Sequence, residues 1–372
     1  MEPLAHTLAG ACLAESGLKR LSPLATSTLI IAANIPDVDG ACYLHSADLA
    51  FAFRRGWTHG ILAMALLPLA LTAAMLVADR VLAARTPRRA RARPAVLMGL
   101  STLGVLSHPF LDWLNSYGIR LLMPFSDRWF YGDTLFIVDP WLWLILGGAV
   151  MLAWTTQTRG LVIAAALASG ATAMMLLAPV VPGWARAAWL AGLAIWALAR
   201  ARVGAPRHPA IAAAALVAAA TYIALMFGGS RVAERQVRHL AHDRGWGATQ
   251  VAAMPVPAAP LERMVIVVSG DRYLFVPVTW TRGPDPAAEP TVFERGAADP
   301  AVRAALAAPF VRGVREWLRF PSYEVTPLPN GERRVIIRDA RFAIGNRPGF
   351  GVIAMVDLDA DLVPRPGPGL TD

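Results

Sequence analysis

Long apolar runs separated by short polar stretches fill the chain up to Gly229, and their length carries the first reading. A bilayer core of about 30 Å takes about 20 apolar residues in a helix. Six stretches meet or approach that length: "WTHGILAMALLPLALTAAMLVA" from Trp57, "AVLMGLSTLGVLSHPFLDWLN" from Ala95, "FIVDPWLWLILGGAVMLAW" from Phe136, "LVIAAALASGATAMMLLAPVV" from Leu161, "WARAAWLAGLAIWALA" from Trp184 and "AIAAAALVAAATYIALMF" from Ala210. Two shorter apolar segments, Pro3 to Leu18 and Leu21 to Ile35, predict a tight helical hairpin ahead of them.

After Gly229 the pattern changes. "RVAERQVRHLAHDRGW" predicts a basic helix, "AAMPVPAAP" a Pro/Ala linker, and "RMVIVVSG" with "RYLFVPVTW" two strands joined by Gly270 and Asp271. A helix from about Pro300 to Leu318 and strands near "RRVIIRDARFA" and "FGVIAMVDL" complete the picture. The expected fold class is a membrane all-α bundle of about 6–8 transmembrane or membrane-embedded helices with a C-terminal α/β extramembrane domain. Its expected domains are 1–145, carrying the chemistry, 146–229, adding helices, and 230–372, outside the membrane.

Composition agrees with a membrane protein. Apolar residues make up 56% of the chain and charged residues only 16%, which excludes two or three ordinary soluble domains of this total length. The net charge of +9 comes from arginines placed in short loops between apolar segments. That is where orientation signals belong, so nucleic acid is not an expected partner. Lys19 with Arg20, the stretch from Asp79 to Pro94, Arg159, and Arg200 with Arg202 and Arg207 form four clusters. With all four in the cytoplasm the helices alternate without conflict. The amino terminus, the Asp37 to Trp57 loop, the Tyr117 to Leu135 loop and everything after Ser230 then face outward. The expected location is the inner membrane, multi-pass, with a periplasmic C-terminal domain. Glu2 stands where a cleavable signal would carry positive charge, so the first segment is expected to be retained. Cys12 and Cys42 lack metal-ligand spacing and are expected to be structural.

Charge is distributed unevenly within the apolar part. No Asp or Glu occurs from Pro140 to Ala233, and the one histidine there, His208, sits in a basic loop. The chemistry therefore lies in the first 140 residues, among His6, Asp37, Asp39, His59, His108, Asp112, Asp133 and Asp139. Unpaired ionisable groups in or beside apolar segments cost several kcal/mol. The orientation above brings His6, Asp37, Asp39, His59, His108 and Asp112 to one membrane face. His108 and Asp112 are four residues apart, on one side of a helix. Imidazoles and carboxylates converging from four helices form a ligand set for a divalent metal such as zinc, as one ion or a pair. Plainer roles exist for each residue. His6 suits a helix start, Asp37 and Asp39 an Asx turn after Pro36, His59 an interfacial position, and His108 with Asp112 a buried hydrogen-bonded pair.

The segments "HTLAG" at His6, "NIPDVDG" at Asn34, "RRGWTHG" at Arg54, "SHPFLDWLNSYG" at Ser107 and "FYGDTLFIVDP" at Phe130 together resemble the YdjM-type family of inner-membrane proteins regarded as metal-dependent hydrolases. The likeness runs in order through about the first 145 residues. It implies metal-ligand roles for His6, Asp37, Asp39, His59, His108 and Asp112. Many members carry histidine where this chain has Arg54. In such a hydrolase Asp37, Asp39 or Asp133 would accept a proton from water, and Arg55 would stabilise an anionic oxygen. A site at the membrane surface points to the bilayer as partner and to a lipid or lipid-linked phosphoester as substrate. The alternatives are a non-enzymatic structural or regulatory membrane protein and a transporter. A transporter would continue its polar groups toward the other face.

Overall fold

The first two apolar segments fold back on each other as helices α1 (Pro3–Glu15) and α2 (Ala25–Ala32). Pro3 occupies the first turn of α1, and the carboxylate of Glu2 accepts from the backbone N–H of Leu4 at 2.6 Å, which caps the helix. Gly10 permits the close approach of α2: a Cβ there would stand 2.7 Å from the carbonyl oxygen of Leu29. This computed structural model describes residues 1–86, 88–202, 204, 207–342 and 351–367. It divides into two compact units, one of residues 1–38, 55–228 and 257–260, the other of residues 39–54, 229–256 and 261–372.

The first unit is helical. After α2 the chain turns through a 3₁₀ stretch, Ile35–Leu44, and α3 (Ala47–Phe53), both largely in the second unit, and returns at Arg55. Helices α4 (Ile61–Arg85) and α5 (Pro94–Trp113) follow, then α6 (Pro140–Trp154), which contains a π turn at Trp143–Gly147. The series closes with α7 (Thr158–Leu177), α8 (Gly183–Arg202) and α9 (His208–Asp243). Among the described residues, α4, α5, α7 and α9 are long and apolar enough to cross a membrane. α6 is apolar but shorter. Buried apolar residues from α2, α4 and α5, including Ala32, Leu71, Met75, Leu97 and Val105, hold these helices together. Outward-facing leucines such as Leu66 and Leu69 on α4 stay more than half exposed, as a lipid-facing helix requires.

The basic helix expected from Arg231 is not separate. It continues the apolar run from Ala210 as the single helix α9. Gly228 and Gly229 lower helix propensity by about 1 kcal/mol each, yet they do not end it. At Gly229 a side chain would strike the ring of Trp280 at 2.6 Å, so glycine is there for packing.

The second unit is an antiparallel α/β arrangement. Strands β1 (Gln250–Val256), β2 (Ala259–Ser269) and β3 (Arg272–Thr279) form one sheet, extended on β3 by Gly283–Pro284 and by β4 (Thr291–Glu294). β2 and β3 pair from Glu262↔Thr279 to Ser269↔Arg272, with Gly270 and Asp271 making the expected turn. The second sheet runs in order β5 (Pro321–Pro327), β6 (Arg333–Asp339), β7 (Val352–Leu358) and β8 (Pro364–Pro366). The expected Pro/Ala linker is instead β1 and the start of β2. Ala252, Ala253 and Met254 are buried there, because small side chains fit beneath neighbouring strands and helix. The helix expected over Pro300 to Leu318 is two, α10 (Pro300–Ala307) and α11 (Arg312–Trp317), since Pro309 cannot continue the first. Ala343 and Phe350, at the ends of two expected strands, lie outside the described residues.

Candidate metal centre

Four stretches of the first unit deliver the ionisable side chains to one place. α1 supplies His6. Pro36 and the 3₁₀ stretch after α2 carry Asp37. A turn ahead of α4 holds His59, whose N–H donates to the Gly56 carbonyl at 3.0 Å. The last turns of α5 present His108 and Asp112 on one face. One ligand atom from each of Asp37, His59, His108 and Asp112 lies within 4.8 Å of the others. The three last-named side chains are fully buried, and Asp37 is 13% exposed.

The internal distances resemble a ligand shell. His59 Nε2 lies 3.1 Å from His108 Nε2 and 3.1 Å from Asp112 Oδ2. His108 Nε2 is 3.5 Å from the same oxygen. Asp37 Oδ1 stands 3.8 Å from both imidazole nitrogens. A tetrahedral zinc ion with bonds of about 2.0–2.2 Å spaces its ligands about 3.3–3.6 Å apart.

Proton positions reinforce the point. His108 Nδ1 is 2.7 Å from the carbonyl oxygen of Ala33, which only accepts, so Nδ1 carries the hydrogen. Its Nε2 then offers a lone pair toward the centre. His59 Nδ1 faces the hydroxyl of Thr58 at 2.9 Å, and with its hydrogen given to that oxygen it offers a second lone pair. Asp112 Oδ2 takes no hydrogen bond among the described residues. Two lone pairs and a carboxylate oxygen thus converge in a buried space, and a cation relieves their mutual repulsion. Donation from Nδ1 to a carbonyl or hydroxyl oxygen is the usual way to fix the ring of a metal-binding histidine.

The other expected residues lie as follows. His6 stacks on His108 with ring centres 3.8 Å apart, and its Nε2 lies 3.2 Å from Asp112 Oδ1. It touches the group of four without belonging to it. Asp39 pairs with Arg54 Nε at 3.4 Å, both within the second unit. Arg55 is buried and donates to Asp112 Oδ1 at 3.1 Å and to Asn115 Oδ1 at 2.8 Å, while its guanidinium covers the Tyr117 ring. The amino group of Met1 meets the same oxygen of Asp112. Asp133 is buried with a left-handed backbone, φ 49°. Its neighbours Gly132 and Thr134 donate to the carbonyls of Trp113 and Leu114, each at 2.7 Å, which laces this loop to the end of α5. Asp139 caps α6 and accepts from the hydroxyl of Tyr222 at 2.9 Å.

Two supporting residues escape sequence reasoning. Asn115 is fully buried and receives both Arg55 and the N–H of Tyr117. Its place three residues after Asp112 is the signal that could have found it. Arg120 donates its N–H to the Arg55 carbonyl at 2.7 Å and covers Trp129, and nothing in its surroundings along the chain announces that role.

Residues 1–185 match the model of the family described as YdjM inner membrane protein. Among curated proteins and among solved structures, nothing matches the chain.

Proposed function

Because the chain belongs, over residues 1–185, to the YdjM inner membrane protein family, we propose that it is a membrane-embedded metal-dependent hydrolase. Its substrate is a lipid or lipid-linked phosphoester, taken at the outer face of the inner membrane, with the C-terminal domain on the periplasmic side. The observation that carries this reading is the convergence of His59 Nε2, His108 Nε2, Asp112 Oδ2 and Asp37 Oδ1 at 3.1–3.8 Å with one imidazole tautomer fixed by Ala33. Two imidazoles and two carboxylates suit zinc. A divalent ion in that shell supplies Lewis acidity and lowers the pKa of water toward about 7.

The chain's own residues divide the remaining work. Arg55, held by Asn115, keeps the Asp112 carboxylate turned so that its second oxygen faces the two histidines. His6 closes the opposite side of that carboxylate and packs flat on His108, excluding water there. Asp37 is the member of the group that solvent reaches, so its carboxylate is where a proton passes to bulk water. Asp133, tied beside the end of α5, is the second carboxylate assigned to proton transfer.

The test is metal per protein in the purified wild type and in Asp37→Asn, His59→Gln, His108→Gln and Asp112→Asn, followed by a screen of phosphodiesters and esters. About one divalent ion in the wild type and loss in the variants, with melting curves retained, supports the reading. A wild type that binds no divalent ion ends it in favour of a structural role.

A further inference from the structure

A second concavity opens on the same helical unit. Helices α1, α5, α6 and α9 enclose a groove of about 450 Å³, the size of a small-ligand site. On α1 its wall is Ala9 and Leu13, three and seven residues after His6 and so on the same face of that helix. On α5 it includes Leu111, immediately before Asp112. On α9 it runs from Leu216 to Phe227. At 1.5 Å per residue this is about 16 Å, close to half of the roughly 30 Å hydrocarbon core.

The chemistry of the walls decides the occupant. Ser107 brings the one hydroxyl, and it donates to the Gly104 carbonyl of its own helix at 2.7 Å. A ligand there meets apolar surface with no charge to bind it, against α5 and α9, two helices of membrane-crossing length. The end of the groove near Leu114 and Phe227 is also the end of α5 that carries Asp112 and leads to Asn115.

We infer that this groove seats a single hydrocarbon chain, acyl or isoprenoid, of the lipid whose head group is processed at the metal centre. The link to the head group rests on the proposed hydrolase reading. The seat for the chain stands on the groove alone.

The experiment uses the full chain in vesicles of phosphatidylethanolamine doped with a phosphatidylglycerol that bears a diazirine in one acyl chain. Cross-linked residues are mapped by mass spectrometry. Labelling is expected at Phe110–Leu114 and Leu216–Ala220 well above that at Leu66 and Leu69, which face outward on α4, and excess unlabelled lipid competes it away. Ala220→Trp fills the groove and is expected to lower groove labelling about tenfold, with metal content unchanged. Ala224→Leu is the gentler filling, read in the same way if Ala220→Trp is not recovered from membranes. Equal labelling of the groove and the α4 face would mean surrounding bilayer lipid only and would overturn the inference. So would undiminished labelling in the filled variants, or a disulfide-linked dimer formed by Ala220→Cys and not by the wild type, showing that a second copy covers the groove. Absence of metal in the wild type strikes the hydrolase reading and leaves the groove labelling to be judged separately.

Discussion

Asp112 engages partners with both of its oxygens. One oxygen meets Arg55, His6 and the Met1 amino group, and the other faces His59 and His108. Asparagine keeps its size and removes its charge, so Asp112→Asn is expected to lower metal occupancy by at least about tenfold, measured as metal per protein. A different buried pair governs the second unit. Burial alone would push the carboxyl of Asp339 up, but the Arg341 guanidinium, 2.8 Å away, and the N–H groups of Arg319 and Arg341 hold it below the ordinary 3.8. A carboxylate with a depressed pKa contributes stability above its unfolded value, and that contribution is lost as pH falls from 3.8 through the lower folded value. Asp339→Asn is expected to cost about 3–5 kcal/mol at neutral pH, because it leaves Arg341 buried without its partner. In melting curves the gap from wild type narrows below pH 3.8. A gap that stayed constant down to strong acid would contradict this assignment.

Among the elements, α3 shows how little room the second unit leaves. Its residue Asp48 accepts the N–H of Val314 at the start of α11, and Phe51 lies 4.9 Å from the Trp317 ring. Gly313 permits that contact, since a Cβ there would stand 2.0 Å from the Asp48 carbonyl oxygen. Gly313→Val is therefore expected to cost about 1–3 kcal/mol and to speed proteolytic cutting between Asp39 and Arg54. Unchanged cutting would show that α3 is held by other means. This docking was invisible in the sequence, because a contact across some 260 positions leaves no period to read. The helical hairpin, the long apolar helices and the β2–β3 turn were legible, since each is written in local length or alternation. β1 was not: Ala and Pro suggest a linker, and only burial against neighbouring elements makes Ala252 and Ala253 a strand. The clustering of acids and histidines before Pro140 pointed to six residues, of which Asp37, His59, His108 and Asp112 form the group of four, while His6 lies beside it and Asp39 pairs with Arg54. The grip of Arg55 on Asp112, between positions 57 residues apart, had no local trace.

For the molecule as a whole, the loop arginines that set the expected orientation provide its test. Glu289 is 81% exposed in the second unit, and Arg88 is exposed between α4 and α5. Cysteine at Glu289 is expected to react with an impermeant maleimide added to spheroplasts, and cysteine at Arg88 only after lysis. The opposite pattern would turn the topology over and move the metal centre to the cytoplasmic face.

The docking of α3 on α11 also has a consequence in time. Arg312, the first residue of α11, follows Phe53, the last of α3, by about 260 residues. At about 5–20 residues per second that is a wait of roughly 13–50 seconds. Throughout it, Asp48 of α3 lacks the Val314 N–H that it later accepts, and Phe51 lacks the Trp317 ring. The segment from Asp39 to Arg54 is therefore fastened within the second unit only once synthesis has passed Trp317, and until then it stays open to proteases.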